Sequence, residues 1–387
     1  MPLSRLLIFL SVVCTILFLV HYYVWRKVIL AAVLPHPWGR IATILLFSLG
    51  ALIPVMFVTM RTAPRWFAVP VSWITYIWMG FLFYLFVFSI VGDLLRGAGF
   101  MTGLMPQDPE RRGFVARMLA SGIATAAGLT GLWGLAYAAA GPKVRRVQVS
   151  LRNLPQAGSG YVIAQLTDIH VGPTIGLDFL TTVVRDTNAL NPDMIVITGD
   201  LMDGSVEQLR ALVEPLRDLK ARDGVFFVTG NHEYYSGAVE WCAYLGTLGI
   251  RVLRNEHVDI RGLFDLAGVD DRSAKGMAPG HGQDIPRAVA GRDPSKTLIL
   301  LAHQPKAYEE AREFNVDLML SGHVHAGQIV PFNWLAKLEQ PFVHGLHRSG
   351  NTWIYVSAGT GYWGPPMRVG TTSEITRIEL MPASNDA

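Results

Sequence analysis

Four apolar runs fill the first 142 residues, and they limit what that part of the chain can become. They are approximately Leu6–Val24, Ile41–Met60, Trp66–Val91 and Met118–Ala140. A helix needs about 20 apolar residues to cross a bilayer core. Ile41–Met60 and Trp66–Val91 carry no charge, and the latter is rich in aromatics, including Trp66, Trp73, Tyr76, Trp78, Phe81, Phe83 and Tyr84. A buried helix of a soluble protein could look like one such run, but not like four in succession. The first run is read as a retained helix rather than a cleaved signal, given its length and the membrane region that follows. The fourth is rich in Ala and Gly, small residues suited to close helix packing. Residues 1–142 are therefore expected to form a membrane region of about four transmembrane helices, and residues 143–387 a second domain.

Composition changes at the same point. Residues 1–142 hold ten Lys/Arg against three Asp/Glu, and residues 143–387 hold 23 against 27. The overall charge of +3 thus conceals a basic first part and a mildly acidic second part. An acidic soluble part gives no electrostatic argument for nucleic acid as a partner. The two cysteines, Cys14 and Cys242, do not define a redox compartment. Loop charge leaves orientation nearly balanced: Arg5, Arg61, Arg65, Lys143, Arg145 and Arg146 on one side, against Arg26, Lys27, Arg40, Arg96, Arg111, Arg112 and Arg117 on the other. Arg111-Arg112-Gly113-Phe114-Val115, before an apolar run ending Ala138-Ala139-Ala140, looks like an internal twin-arginine export signal. An ordinary basic flank would serve as well, and both readings keep this loop in the cytoplasm. The expectation is a multi-pass protein of the cell membrane with its second domain outside the cytoplasm, and the twin-arginine machinery as a partner.

From about residue 147, short apolar runs alternate with helical stretches. Tyr161–Leu166, Met194–Thr198, Val225–Thr229, Leu298–Ala302, Leu318–Ser321 and Trp353–Ser357 read as buried strands. Leu177–Leu190, Val206–Ala221, Ala238–Leu248 and Pro305–Phe314 read as helices. Arg251–Leu253, Val258–Arg261 and Phe264–Ala267 add a meander, Glu374–Leu380 closes the domain, and the tail Ala383–Ala387 is expected to be disordered. The alternation predicts an α/β layered domain with largely parallel strands.

Five motifs begin where these strands end, the place where open α/β sheets bind ligands. Asp168 and His170 could chelate one cation from a turning segment, although alone they would pass for a surface turn. Asp200 follows Gly199, which permits a tight turn, and its carboxylate could bridge two cations or simply cap a helix. In Gly230-Asn231-His232-Glu233, Asn231 offers a carbonyl oxygen to a metal. His232, expected in an extended segment, could protonate a leaving alkoxide, with Glu233 orienting it. His303 alone could be a satisfied core histidine, whereas His323 and His325 are expected to share one face of an extended segment. Seven candidate metal ligands result: Asp168, His170, Asp200, Asn231, His303, His323 and His325. The catalytic candidates are His232, Asn231 and Asp200. Such a mixed oxygen and nitrogen inventory suits two cations and phosphate ester hydrolysis. Imidazoles favour Zn, Fe, Ni or Cu, and carboxylates admit Mn.

This ordered set, Asp-x-His, Gly-Asp, Gly-Asn-His-Glu, His and Gly-His-x-His, resembles the calcineurin-like metallophosphoesterase superfamily over about Ala164–Gly327. The resemblance implies two mixed β-sheets packed face to face and flanked by helices. It implies two divalent metal ions (Mn, Fe or Zn), one on Asp168, His170, Asp200 and His325, the other on Asp200, Asn231, His303 and His323. Asp200 would bridge them, a metal-bridging hydroxide would attack phosphorus in line, and His232 would be the proton donor. The arginine that Ser/Thr protein phosphatases of the superfamily carry soon after Gly-Asp is missing from Gly199–Gly204. Gly322–Gln328 and Ser357–Gly361 look instead like the bacterial membrane-associated YaeI/YkuE-like branch, itself similar to UDP-2,3-diacylglucosamine hydrolases.

Pro331–Val343 carries Phe332, Trp334, Leu335, Leu338, Phe342 and Val343 with only Lys337 and Glu339 charged. Trp334 and Phe342 are therefore expected either to touch the bilayer or an acyl chain of a substrate, or to cover the core. Tyr362–Pro366 is a further rim candidate. The expected function is a membrane-anchored phosphoesterase acting on a phosphodiester or pyrophosphate, with a lipid-linked substrate in view. The alternatives are a phosphomonoesterase and a membrane receptor that binds a phosphate ligand without turnover.

Overall fold

The computed structural model describes residues 3–383, so the end of the tail, 384–387, lies outside the described residues. The chain divides into two compact units. One holds the residues up to Ala136 together with Gly364–Met367; the other holds Tyr137–Trp363 and Arg368 onward.

The first unit contains helices α1 (Leu3–Val24), α2 (Trp38–Thr62), α3 (Arg65–Met101) and α4 (Pro109–Ala139). A π-helical turn, Trp25–Leu30, extends α1. The α1 segment Leu10–Leu30 and helices α2 to α4 are long and apolar enough to cross a membrane. Their exposed side chains include Ile16, Phe18, Ile44, Phe57, Trp66 and Leu95, the composition of a surface that faces lipid rather than water. Helix α3 runs ten residues beyond the apolar stretch that ends at Val91, through Gly92, Gly97 and Gly99, and stops before Thr102 and the left-handed Gly103. Several polar groups of these helices find partners, some one turn away and some on another helix. Ser72 and Thr75 donate to carbonyls one turn back at 2.8 and 2.7 Å. Lys27 pairs with Asp93 at 2.6 Å, and Tyr23 donates to the same carboxylate at 2.8 Å. A Cβ at Gly131 would overlap the Phe81 ring, so a small residue is required there for α4 to approach α3.

The second unit has two six-stranded sheets. Their strands are β1 (Lys143–Leu151), β2 (Tyr161–Leu166), β3 (Met194–Thr198), β4 (Val225–Val228), β5 (Ile250–Val252), β6 (Glu256–Ile260), β7 (Phe264–Gly268), β8 (Thr297–Leu301), β9 (Leu318–Ser321), β10 (Gly345–Ser349), β11 (Thr352–Val356) and β12 (Glu374–Pro382). One sheet runs β1-β12-β2-β3-β4-β5, the other β10-β11-β9-β8-β7-β6. The pairs β12·β2, β6·β7 and β10·β11 are antiparallel and the rest parallel, so both sheets are mixed.

Strand alternation builds three apolar layers from these runs. Met194, Val196, Phe226 and Val228 of one sheet join Ile299, Leu301, Leu318 and Leu320 of the other in one central cluster. The alternate residues Ile195, Ile197 and Phe227 belong to an outer cluster with side chains of α5 (Leu177–Asn188), α6 (Val206–Val213) and α8 (Ala238–Thr247). Leu298, Leu300, Met319 and Ile354 form a third cluster with α9 (Ile285–Val289) and α10 (Tyr308–Ala311). Strands covered on both faces read as unbroken apolar runs, which is why these were visible in the sequence.

The differences from expectation have physical causes. The helix expected over Val206–Ala221 stops as α6 at Val213 and continues as a 3-10 turn, Glu214–Asp218, because Pro215 has no N–H to donate. The Pro305–Phe314 segment breaks into 3-10 turns around α10. Strands β1 and β10 each form one edge of their sheet and lack a continuous apolar run, so neither was expected. Helix α7 (Asn231–Ser236) replaces the extended segment expected around His232, and α11 (Phe332–Glu339) occupies the apolar segment after the last histidine motif.

Removing one member of the Lys27–Asp93 pair leaves the other without its partner. Asp93→Leu is expected to lower the melting temperature of the full chain in detergent by about 1 °C, the shift of roughly 1 kcal/mol at about 2.1 cal/mol/K of unfolding entropy per residue. Lys27→Leu/Asp93→Leu should recover most of it in a calorimetric scan.

Candidate metal centre

Strands β2, β3 and β4 are parallel neighbours in one sheet, and β8 and β9 are parallel neighbours in the other. Asp168 and His170 follow β2, Asp200 follows β3, Asn231 and His232 follow β4, His303 follows β8, and His323 and His325 follow β9. The structure brings all eight together.

Asp200 stands between two groups. On one side, His170 Nε2 lies 3.0 Å from His325 Nε2 and 3.9 Å from Asp200 Oδ2, and His325 Nε2 lies 3.5 Å from Asp168 Oδ1. On the other, His303 Nε2 lies 3.2 Å from Asp200 Oδ2, 3.2 Å from Asn231 Oδ1 and 3.2 Å from His323 Nδ1. Asp168, His170 and His325 form one set that could hold a cation, and Asp200, His303 and His323 another.

The donor chemistry fits two cations. Thr198 O accepts from His303 Nδ1 at 2.8 Å, and Asp203 Oδ1 accepts from His170 Nδ1 at 3.1 Å. These acceptors assign the ring protons to Nδ1 and leave both Nε2 lone pairs facing inward. At His303, that lone pair meets a carboxylate oxygen and a carboxamide oxygen. Such a convergence of acceptors calls for a positive charge. Burial opposes charge on Asp200, yet His303 and His232 hold its carboxyl well below the usual range. Burial likewise opposes charge on His303, and Asp200 raises it well above the ordinary value.

Holding these groups in place strains the backbone. Asp168, His170, Asp200, His323 and His325 all have positive φ, between 51° and 73°, a region that non-glycine residues enter at a cost of order 1–3 kcal/mol each. The segment with His323 and His325 is thus a left-handed and 3-10 turn rather than the extended strand expected. The turn sends His323 toward His303 and His325 toward His170. Local bonds fix the strain: His323 N donates to both Asp168 carboxylate oxygens at 2.9 Å, and His232 N donates to Asp200 Oδ1 at 2.9 Å. A Cβ at Gly322 would collide with Asp168 Oδ2 and Thr167 Oγ1, and one at Gly230 with Asp200, which explains the glycines that open these two motifs.

Two expected roles change. Glu233 does not orient His232. Its carboxylate accepts from the backbone N–H groups of Gly230, Asp200 and Leu201 at 2.5, 3.0 and 2.8 Å, and so fastens the turn that carries Asp200. Burial and the adjacent Asp200 push it up to about 7. The carboxylate that holds His232 is Asp203, at 2.6 Å from Nδ1. The same oxygen serves His170, so Asp203 ties the two imidazoles together. Burial disfavours a charged His232, but Asp200 and Asp203 outweigh it and raise the imidazole to about 9.

Arg368 and Tyr235 carried no sequence signal, whereas Trp363 lies in the expected rim segment Tyr362–Pro366. Arg368 is fully buried and donates to His325 O at 2.8 Å and Gly361 O at 2.5 Å, bracing the last histidine turn; burial pulls its guanidinium down to about 10. Tyr235 and Trp363 place their rings 5.4 and 5.7 Å from His232, and both are exposed. Trp334 on α11 is 66% exposed, whereas Phe342 meets Tyr308 edge-to-face at 5.0 Å and stacks on His347 at 4.8 Å. Phe342 therefore covers the core, and the pair expected to act together is separated.

Asp203→Ala removes the acceptor shared by His170 and His232. Outer partners of this kind are worth about 10–100-fold in metal affinity. The full chain carrying this change should bind Mn²⁺ or Zn²⁺ that much more weakly in a competition titration, with its far-UV circular dichroism unchanged.

The family profile described as Calcineurin-like phosphoesterase matches residues 161–327. A Danio rerio protein described as a transmembrane protein with metallophosphoesterase domain is 38% identical, covering 97% of this chain and 89% of that one. A Bos taurus protein of the same description is 44% identical over 65% of this chain and 60% of that one. The Bacillus subtilis metallophosphoesterase YkuE, described as uncharacterized, is 30% identical over 59% of this chain and 81% of that one. With the same strand-end motifs gathered around Asp200, and with a relative alike along nearly its whole length, the chain belongs to the calcineurin-like metallophosphoesterase family.

Proposed function

We propose that this chain is a membrane-anchored, dinuclear-metal-dependent phosphoesterase that hydrolyses a phosphodiester or pyrophosphate, with a lipid-linked phosphate as its substrate class. The observation that carries the reading is Asp200, which groups with His303 and His323 on one side and with His170 and His232 on the other, while His170 also groups with Asp168 and His325. Asp168, His170, Asp200 and His325 would hold one divalent cation, and Asp200, Asn231, His303 and His323 the other. Two cations so held supply Lewis acidity and neutralise charge on the phosphoryl oxygens.

The residues themselves do the rest. Asp203 engages His232 at Nδ1, which leaves Nε2 turned toward Asp200 Oδ2 at 3.9 Å and free to give a proton to a departing oxygen. Asp203 also fixes the rotation of that ring. Tyr235 and Trp363 flank it with exposed aromatic surface against which an apolar part of a substrate can lie. Arg368 is turned to backbone carbonyls and is not spent on a phosphate oxygen, which favours a singly charged diester over the doubly charged monoester. The four membrane-length helices and the exposed apolar face of α11 favour a substrate presented by a bilayer.

The full chain in detergent, loaded with Mn²⁺ or with Zn²⁺, should turn over a simple aryl phosphodiester and a lipid-linked pyrophosphate faster than the matching monoester. His232→Ala should lower turnover by about 10²–10⁴-fold, the span of general acid catalysis. Asn231→Ala should abolish it. Trp334→Ser should impair the lipid substrate more than the aryl ester. Preference for the monoester would make the protein a phosphomonoesterase, and two bound metals with no turnover would make it a phosphate-ligand receptor.

We further propose that the second unit lies outside the cytoplasm of the cell, delivered by the twin-arginine route through Arg111 and Arg112 at the start of α4. Alkaline phosphatase fused after Ala387 is then expected to be active and β-galactosidase inactive, with Arg111→Lys/Arg112→Lys reversing the alkaline phosphatase result.

A further inference from the structure

A cavity of about 630 Å³ opens in the second unit among α11, the edge strands β1 and β10 and the loop Gly370–Glu374. That volume is within the roughly 300–1,000 Å³ of ordinary small-molecule sites. None of the seven candidate metal ligands lines it.

The lining is built for a polar guest. Gln340 is 4% exposed, and neither atom of its carboxamide has a hydrogen-bond partner. Asn333 Oδ1, also in the wall, is buried and unpartnered. Buried amides are ordinarily satisfied, so three unanswered amide atoms beside the cavity are hydrogen bonds that a polar guest can complete once these side chains turn toward it. Arg145 and Lys337 bring two cations to the same cavity. Glu374 adds a carboxylate, but its oxygens are engaged: Oε1 by Tyr355 at 2.6 Å and Oε2 by His344 at 3.3 Å. The complementary guest offers an anion to Arg145 and Lys337, an acceptor to the Gln340 amino group, and hydroxyl donors to Gln340 Oε1 and Asn333 Oδ1.

The outer face of α11 indicates where that guest comes from. Phe332, Trp334, Leu335 and Leu338 are exposed along one short helix, Leu338 to 84%. They stand beside the wall residues Asn333 and Lys337 of the same helix. An apolar helix surface next to a basic, hydrogen-bonding cavity suits a lipid with its chains on the helix and its headgroup inside. Among the described residues are four helices apolar enough to cross a membrane, which places acidic lipid within reach of the chain.

We propose that this cavity is a second, non-catalytic site that binds the phosphoglycerol headgroup of an acidic membrane phospholipid. The phosphate accepts from Arg145, Lys337 and the Gln340 amino group, and the glycerol hydroxyls donate to Gln340 Oε1 and Asn333 Oδ1. The site stands whether or not the metal centre turns over a substrate.

The test is calorimetric titration of the full chain in neutral detergent, stripped of metal by chelation. The probes are dihexanoylphosphatidylglycerol, dihexanoylphosphatidylcholine and glycerol 3-phosphate. The phosphatidylglycerol is expected to bind at least tenfold more tightly than either other probe. Arg145→Gln/Lys337→Gln should weaken it tenfold or more, and Gln340→Met several-fold. Both cationic side chains are exposed, so the fold should tolerate their loss; the single variants, each expected to weaken binding about threefold, repeat the test if the double variant misfolds. Asn231→Ala, in the metal centre, should leave binding unchanged. Equal binding of the two lipids, or binding untouched by every cavity variant, overturns the proposal. Glycerol 3-phosphate binding as tightly as the lipid overturns its membrane source and makes the site one for free phosphate esters. Loss of binding in Asn231→Ala would place the lipid at the metal centre instead.

Discussion

Asp200 is one carboxylate asked to serve two groups of histidines, and most of the second unit follows from that demand. Its side chain must reach the point where two sheets meet, so it leaves β3 through a left-handed turn behind Gly199. A turn of that kind is unstable by itself. Glu233 stabilises it by accepting three backbone N–H groups, two of them from Asp200 and its successor. Glu233 is in turn placed by the short helix that begins at Asn231, so the element presenting one metal-type side chain also secures another. The parallel strands to either side are the frame that lets five chain segments, distant in sequence, repeat this arrangement.

Much of this was legible beforehand for a simple reason. Strands covered on both faces are uninterrupted apolar runs, and chemistry-bearing residues placed at their ends stand out against them. Tyr161–Leu166, Met194–Thr198 and Leu318–Ser321 were read to the residue for that reason. Strands β1 and β10 were not, because they mix Lys, Arg and His with apolar residues like any loop, whereas the opposite edges β5 and β6 kept enough apolar character to be read. Within the site, residue type disclosed which side chains gather, but not how the backbone delivers them. His232 sits in a helix and His325 in a left-handed turn, although both were read as extended, because alternation along a strand was the only geometry that sequence spacing suggested. Asp203 and Arg368 were passed over because neither belongs to a motif. Each acts by holding another residue, and a supporting contact has no sequence spacing of its own.

The substitution of Asp203 for Glu233 as partner of His232 has a geometric origin. A residue next to a histidine on a helix points about 100° away from it, so Glu233 cannot reach back to that ring. Asp203, arriving from the neighbouring β3 turn, meets the ring from the front. It also touches His170, which couples the placement of the proton-bearing imidazole to that of a metal-type imidazole through one oxygen atom. A disturbance on either ring therefore reaches the other without passing through the backbone.

The ion pair in the first unit bears on how its helices are aligned. Lys27 and Asp93 lie 66 residues apart, one at the end of the first candidate span and the other in the third. A lysine so close to the end of a span can extend its stem and keep its ammonium at the level of the headgroups, at little cost to insertion. The pair therefore bears on register rather than on entry. One ion pair at 2.6 Å ties a fixed point of the first helix to a fixed point of the third, so neither can slide along the other without parting the charges.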